Sequence, residues 1–556
     1  MKTNQSLKSI LLFIIIITLN FSLLSYVQAQ TSVINLNVQY QYIRGFGGMN
    51  FPRWIPDLTS AQVDKAFGNE DGQIGLSILR ISVSPNSGQW SLELPTAQRA
   101  KSHGAIILAT PWSPPASMKT NNSTIQGELR TDAYDDYANY LSDFANYMSS
   151  NGAPLYAISV QNEPDYLPDY ESCGWSYNQM YNFVRDNASV IPTRVLAAES
   201  FNFKKEYTDP ILNDATARNN LDIVGGHLYG TSPSDYPLAR AYGKEIWMTE
   251  HYTNSNVDAN SWPDALNVGK EIHDCMVNNF SAYIWWYIRR FYGLLDENGN
   301  VTKRGYVMSH FSKFVRPGSY RIDATSNPTT NVDVTAYKSD TCLVIVAINR
   351  NANSRNIVFK LQNASILRLA KYTTSAGKNV SNDGDINVIN DSCLVTLDSL
   401  SITTFIGTLP GWYRTNRSGN WNDVFTWETY NGLAWENPAP RVPDVRDGLI
   451  LIQSGHQVEI TENDTVDQVS IQPGGILKVN AGNTLVVRNG ENIDMEIKGT
   501  LMNSGNIMLE NDSVEVRIAN GGRYIHAQDG GKIPNLLWES GSTCEVTGVI
   551  SNVPLN

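Results

Sequence analysis

The sequence predicts a (β/α)8 barrel carrying a side β-sandwich, followed by an all-β module. Three observations predict it. Eight short apolar runs alternate with longer helical stretches between residues 43 and 317. Most of those runs end in polar or aromatic residues. Beyond Pro317 the pattern changes to strands joined by Asn, Gly and Ser turns.

The runs are Arg44-Gly45-Phe46-Gly47-Gly48, Ile78 to Val83, Ala105 to Ala109, Tyr156 to Val160, Arg194 to Ala198, Leu221 to Gly225, Ile246 to Thr249 and Ala282 to Trp286. Short continuous apolar runs separated by helices read as parallel strands buried on both faces. Eight such units in under 300 residues fit a barrel. The run ends carry Trp112-Ser113, Asn162-Glu163, Glu199-Ser200, His227-Leu228-Tyr229, Glu250-His251-Tyr252 and Tyr287 to Arg290. Barrel enzymes build their sites from the carboxyl ends of the strands. Six chemistry-bearing ends therefore indicate one shared pocket.

Residues 318–409 read as a small antiparallel sandwich, with strands at Val332 to Tyr337, Cys342 to Ile348, Arg355 to Leu361 and Ser401 to Ile406. Residues 30–42 alternate apolar and polar and should add a strand to it. Residues 410–556 open with Trp412, Trp421, Trp427 and Trp435 and continue as strand–Gly units of irregular spacing. A short β-solenoid or another all-β module is expected there. Its tryptophans are expected mainly in the core, with sugar binding as the alternative.

Residues 1–29 read as a cleaved signal peptide. Lys2 and Lys8 precede an apolar run from Ile10 to Leu24, and Val27-Gln28-Ala29 offers a small-residue cleavage site. The run is short and broken by Asn20, which argues against a membrane anchor. Export to the cell exterior, the cell surface or the periplasm follows, with no membrane association after cleavage. Five cysteines leave at least one outside intramolecular pairs, and Cys342 and Cys393 could bridge. The formal net charge of −12 disfavours a nucleic-acid partner. The 13 Trp and 27 Tyr suit sugars, which present both apolar faces and hydroxyls. A monomer is expected. No CxxC spacing exists, and His227 and His251 have no second ligand at metal spacing in the sequence, so no metal or cofactor is expected.

Glycoside hydrolysis needs two carboxyl groups flanking the scissile bond. Glu163, Glu199 and Glu250 all stand at run ends. Asn162 sets an amide beside Glu163, able to bond a sugar 2-hydroxyl, and Pro164 ends the strand. Glu250 ends the seventh run, which faces the fourth across a barrel of eight. Glu163 is then the acid/base and Glu250 the nucleophile. Tyr229 is a donor for Glu250, and Glu199 is a supporting residue.

These segments, with Gly45-Phe46-Gly47-Gly48-Met49-Asn50, Trp112-Ser113-Pro114-Pro115, Asn162-Glu163-Pro164-Asp165, Thr249-Glu250-His251-Tyr252 and Trp285-Trp286-Tyr287-Ile288-Arg289-Arg290, resemble family 30 glycoside hydrolases of the bacterial glucuronoxylanase type. The resemblance runs in order from Ser32 to Leu409. It implies retention of configuration, with Glu163 as acid/base and Glu250 as nucleophile. It also implies an endo-acting xylanase on glucuronoxylan, which holds a 4-O-methylglucuronate branch by an arginine and hydroxyls after strands seven and eight. Carried over, these are Arg290, helped by Tyr252, Ser255, Trp286, Tyr287 and Tyr292. Trp54 and Trp112 would meet the xylan chain, and Tyr166 and His227 complete the expected substrate contacts. One of Arg289 and Arg290 is expected to pair with a barrel carboxylate. Phe291 stands where a small hydroxyl residue is expected, and Tyr166 where a Trp is common. The alternatives are a branch-independent or exo-acting xylan hydrolase and a non-catalytic carbohydrate-binding protein.

Overall fold

The computed structural model describes residues 30–555, apart from 340, 341, 365, 367, 410, 431–433, 446, 491 and 492. The expected signal peptide, residues 1–29, lies outside the described residues. Among those described, no helix is long and apolar enough to cross a membrane.

Eight parallel strands close the predicted barrel. After a leading strand β1 (Gln30–Tyr42), they are β2 (Gly45–Met49), β3 (Ile78–Val83), β4 (Ile106–Pro111), β5 (Ala157–Ser159), β6 (Arg194–Ser200), β7 (Ile223–His227), β8 (Glu245–His251) and β9 (Ala282–Trp285). Closure buries both faces, which is why the strands read as continuous apolar runs rather than alternating ones. Ile78, Leu108, Leu196, Ile223, Trp247 and Ile284 fill one end of the lumen. Met49 and the rings of Phe51, Trp112, Trp286, Tyr287 and Tyr292 form an apolar layer at the opposite, carboxyl end. The first helix, Ser60–Phe67, starts on a capping box between Thr59 and Gln62. Its Val63, Ala66 and Phe67 are buried.

The strand pairing slips between Ala198 and Ser200 on β6, between Gly226 and His227 on β7, and between Met248 and His251 on β8. All three irregularities lie at carboxyl ends. A bulge re-aims side chains there without disturbing the closed sheet below.

The side domain is one nine-stranded sheet. It comprises β1, β10 (Tyr320–Ala324), β11 (Val332–Lys338), β12 (Cys342–Asn349), β13 (Arg355–Gln362), β14 (Arg368–Thr374), β15 (Ser381–Asn387), β16 (Ser392–Leu397) and β17 (Ser401–Thr408), in the order β15-β14-β17-β12-β11-β10-β1-β13-β16. Phe359 of β13 and Phe405 of β17 meet at 5.1 Å although four strands separate them in that order. The sheet therefore folds over on itself to make the two layers. It is not wholly antiparallel: β1 runs parallel to β13 and antiparallel to β10. Cys342 and Cys393, which the sequence left open to bridging, form no disulfide. They sit on β12 and β16, far apart in the sheet order, with Cys342 bonded to Ser339 and Cys393 opposite Phe359.

The C-terminal region is a β-solenoid with three parallel faces. Ile450, Val469, Met495 and Val516 pair in succession along one face, and Val458, Leu477, Leu501 and Tyr524 along the next. Trp421 and Trp427 are core, as expected. Trp412 is instead 45% exposed, and Trp435 is half-buried beneath Arg414.

Candidate active site

Arg80 is the only charged residue of β3 and has no exposed surface. A charge buried to that degree must be paired. Its guanidinium donates to Glu250 Oε2, to Glu199 Oε1 at 3.0 Å, to Asn162 Oδ1 at 2.8 Å and to Thr110 Oγ1 at 3.2 Å. One planar fork thus ties residues at or just beyond the carboxyl ends of β4, β5, β6 and β8. The bond to Asn162 fixes which amide atom is the oxygen and leaves the amino group as the remaining donor.

Glu163 and Glu250 are both almost fully buried. An oxygen of each, with a nitrogen of His227, lies within 4.8 Å of the other two. The fourth and seventh barrel strands therefore bring their terminal carboxylates to one point. Tyr229 donates its hydroxyl to Glu250 Oε1 at 2.9 Å. Burial beside Glu250 raises the pKa of that hydroxyl well above its ordinary value, so it stays a donor. Glu250 is held on both oxygens, by a cation and by a phenol.

Glu163 has a different environment. Burial raises its pKa above the usual carboxylate value, and the negative charge of Glu250 adds to this. The hydrogen bond to His227 and the charge of Arg80 act in the opposite sense and do not cancel it. His227 Nδ1 lies 2.9 Å from Glu163 Oε1, and Nε2 lies 3.7 Å from Glu199 Oε1. Burial alone would lower the His227 pKa, but Glu250, Glu163 and Glu199 outweigh it and push it up to about 9. Glu199 shows the reverse balance: burial opposes ionisation, yet Arg80 and His227 hold its pKa at about 2. The cluster thus sets a guanidinium and an imidazolium among three carboxyl groups, holding Glu199 ionised and leaving Glu163 able to keep its proton.

His227 was expected to touch substrate. It has no exposed surface and sits behind Glu163, so it acts on the carboxyl group and not on a sugar. The fold also gives His227 two neighbours at metal-ligand spacing that the sequence spacing hid. The guanidinium of Arg80 already supplies the positive charge on Glu250 there.

Aromatic rings gather at the carboxyl end of the barrel. Trp54 stacks on Phe51 at 4.2 Å and contacts Trp112, Tyr170 and Trp286 at 5.3–6.4 Å. Trp54 is 38% exposed, while Trp112 is nearly buried. Tyr166 stacks on Phe201 at 4.8 Å, and Phe201 stacks on Tyr229 at 4.9 Å. Tyr166 is 41% exposed and presents the outer ring of that ladder. Phe51, Tyr170, Phe201 and Arg80 belong to the site but were not singled out from sequence. Arg80 had a readable signal, a lone charge inside an apolar run.

The loops after β8 and β9 gather the remaining residues. Tyr252 lies 5.3 Å from both Tyr229 and Tyr292, and Trp286 stacks within 3.8 Å of Tyr287. Ser255 is half-buried on the same loop as Tyr252. Arg304, fully buried, donates to Tyr292 O, Asn254 O and Asp264 Oδ2 and so joins the two loops. Among the described residues Arg289 pairs with no carboxylate. It donates to the Pro56 and Asp57 carbonyls and to the Gln62 amide. Arg290 is half-exposed, lies 5.8 Å from the Tyr287 ring and makes a loose 3.8 Å ion pair with Glu297. Phe291 is 47% exposed beside it.

Residues 47–309 match the model of the glycosyl hydrolase family 30 TIM-barrel domain. A glucuronoxylanase XynC from Bacillus subtilis is 49% identical over 389 residues, which cover 68% of this chain and 92% of that protein. The chain belongs to glycosyl hydrolase family 30. Two solved structures agree. The family 30 subfamily 8 xylanase Xyn30A from Clostridium acetobutylicum superposes with a TM-score of 0.64 at 40% identity, covering 68% of this chain and 99% of that one. A family 30 endoxylanase from Clostridium papyrosolvens superposes with 0.63 at 42% identity, covering 68% and 100%. This family 30 enzyme therefore carries about a third of its length outside the part these relatives share.

Proposed function

We propose that the chain is a secreted, retaining endo-β-1,4-xylanase acting on glucuronoxylan and guided by a uronate branch. The observation that carries the chemistry is the approach of the Glu163 and Glu250 oxygens to within 4.8 Å. Retaining glycosidases place their carboxyl groups ~5–5.5 Å apart, whereas inverting ones leave ~6.5–9.5 Å for a water. The names of the most similar relatives support the substrate.

Glu250 attacks the anomeric carbon with one oxygen as the glycosidic bond breaks. Glu163 gives its proton to the departing oxygen. A glycosyl ester forms on Glu250, and Glu163, now ionised, takes a proton from the water that releases the sugar with a second inversion. Arg80 and Tyr229 hold Glu250 oriented for attack through its two oxygens. The aromatic walls offer ring faces to successive sugars on both sides of the bond.

Arg290 is the branch receptor. A guanidinium meets a carboxylate through two parallel hydrogen bonds, and this one is not committed to a strong internal pair. Mass analysis of products from glucuronoxylan tests the reading. Every product should carry a uronate at a fixed position from its reducing end. Arg290→Ala should lose at least about tenfold in kcat/KM on glucuronoxylan, roughly the ~1.5–3 kcal/mol of a charged hydrogen bond, and far less on unbranched xylan. Equal losses on both substrates, with unsubstituted xylose or xylobiose as products, would establish a branch-independent enzyme.

A further inference from the structure

Glu199 is the one carboxylate of the cluster that the proposed chemistry leaves without a step. It is fully buried and sits where the pairing of β6 with β7 slips. Its φ of +51° lies in the left-handed region, as does the +43° of Glu163. Non-glycine residues adopt that region at a cost and keep it where their surroundings hold them. These two hold each other: the Glu163 N–H donates to the Glu199 carbonyl at 3.0 Å. The Glu199 carboxylate accepts from Arg80 at 3.0 Å and lies 3.7 Å from Nε2 of His227, whose Nδ1 is 2.9 Å from Glu163.

We infer that Glu199 is a positioning residue for the acid/base: its carbonyl fixes the backbone of Glu163, and its carboxylate, through His227, holds the proton that Glu163 delivers. The inference rests on Glu163 being the acid/base. The groups facing His227 are Glu163, Glu199 and Glu250, with Arg80 behind Glu199 and Glu250 and the Tyr229 ring 6.0 Å away. The field of the two ionised carboxylates favours a proton on the Glu163–His227 pair. Removing one negative charge leaves Arg80 less balanced, so the pair releases its proton at lower pH. The two sites titrate as a couple, and the pH–rate profile reports the couple.

Glu199→Gln keeps the carbonyl and the side-chain length and removes only the charge. On glucuronoxylan, kcat should fall about tenfold or more, part of the ~10²–10⁴ that a positioned acid contributes, with KM nearly unchanged. The alkaline limb of kcat/KM should move down by about one unit, the size of effect a charge within ~4–6 Å exerts. Glu199→Asp should restore part of the limb. The imidazole NMR titration of His227, assigned by its loss in His227→Gln, should move down in Glu199→Gln relative to wild type. A cooperatively folded Glu199→Gln with the wild-type limb and an unshifted His227 titration overturns the inference. If Glu199→Gln does not fold, Glu199→Asp decides it by the same two readouts, with a smaller downward shift expected and no shift contradicting it. If the wild-type protein cleaves no xylan, the functional reading fails, and the His227 titration still tests the coupling.

Discussion

A guanidinium without solvent stands between the carboxylate read as the nucleophile and the one behind the acid. Arg80 is worth more to this site than a surface arginine because one buried cation bonds both Glu199 and Glu250. Breaking a buried pair by removing one partner costs ~3–5 kcal/mol, since it strands the other charge. Arg80→Leu should lose turnover and lower the urea-unfolding free energy by roughly that amount. A stability near wild type would mean that the carboxylates are neutral in the fold. Glu163 and Glu250 were legible in the sequence because they end apolar runs. Arg80 is legible only as a lone charge inside an apolar run, and its partners lie on strands distant in sequence. His227 was legible as a strand-end residue, but its task depends on the stagger of β5 against β7, which no spacing encodes.

At the scale of elements, the helix Lys303–Ser312 joins barrel to sandwich through a histidine. His310 is fully buried, with Nδ1 2.8 Å from Thr404 Oγ1 on β17 and Nε2 2.8 Å from Thr374 Oγ1 on β14. Burial lowers its pKa to about 3, and burial likewise lowers that of His273, on the helix Leu266–Val277, to about 4. The unfolded chain takes up these protons near pH ~6.5, before the folded one does. Stability should therefore fall as pH drops from ~6.5 toward ~4. Thermal unfolding across that range checks it, and His310→Gln, which cannot titrate, should show a shallower dependence. An identical slope in the variant would remove the seam histidine from the account. The eight barrel strands were readable in outline because each is buried on both faces. The bulges at the ends of β6, β7 and β8 were not, since they depend on pairing between strands distant in sequence.

At the scale of the whole molecule, barrel and sandwich share a core. Tyr337, Val344, Val346, Ile348 and Ile402 of the sheet pack with the apolar faces of the barrel helices in one cluster. The solenoid has a separate core around Trp421, Trp427, Ile450, Leu477 and Ile497. A chain ending at residue 409 should fold and keep turnover on soluble glucuronoxylan within about twofold, as expected when a unit owns its core. One ending at residue 317 should not fold, because it strips the sheet from that shared core. Kinetics and circular dichroism of both truncations check this. The solenoid was only partly legible: its inward rows recur, but the coils differ in length, so no fixed period marks them. In the proposed mechanism two carboxyl groups meet across one sugar at a distance that admits no intervening water. Proton NMR of the first product released from glucuronoxylan measures it directly. The new reducing end should appear first as the β-anomer and mutarotate afterwards. An α-anomer at the outset would mean a water between the carboxylates, and would contradict the account.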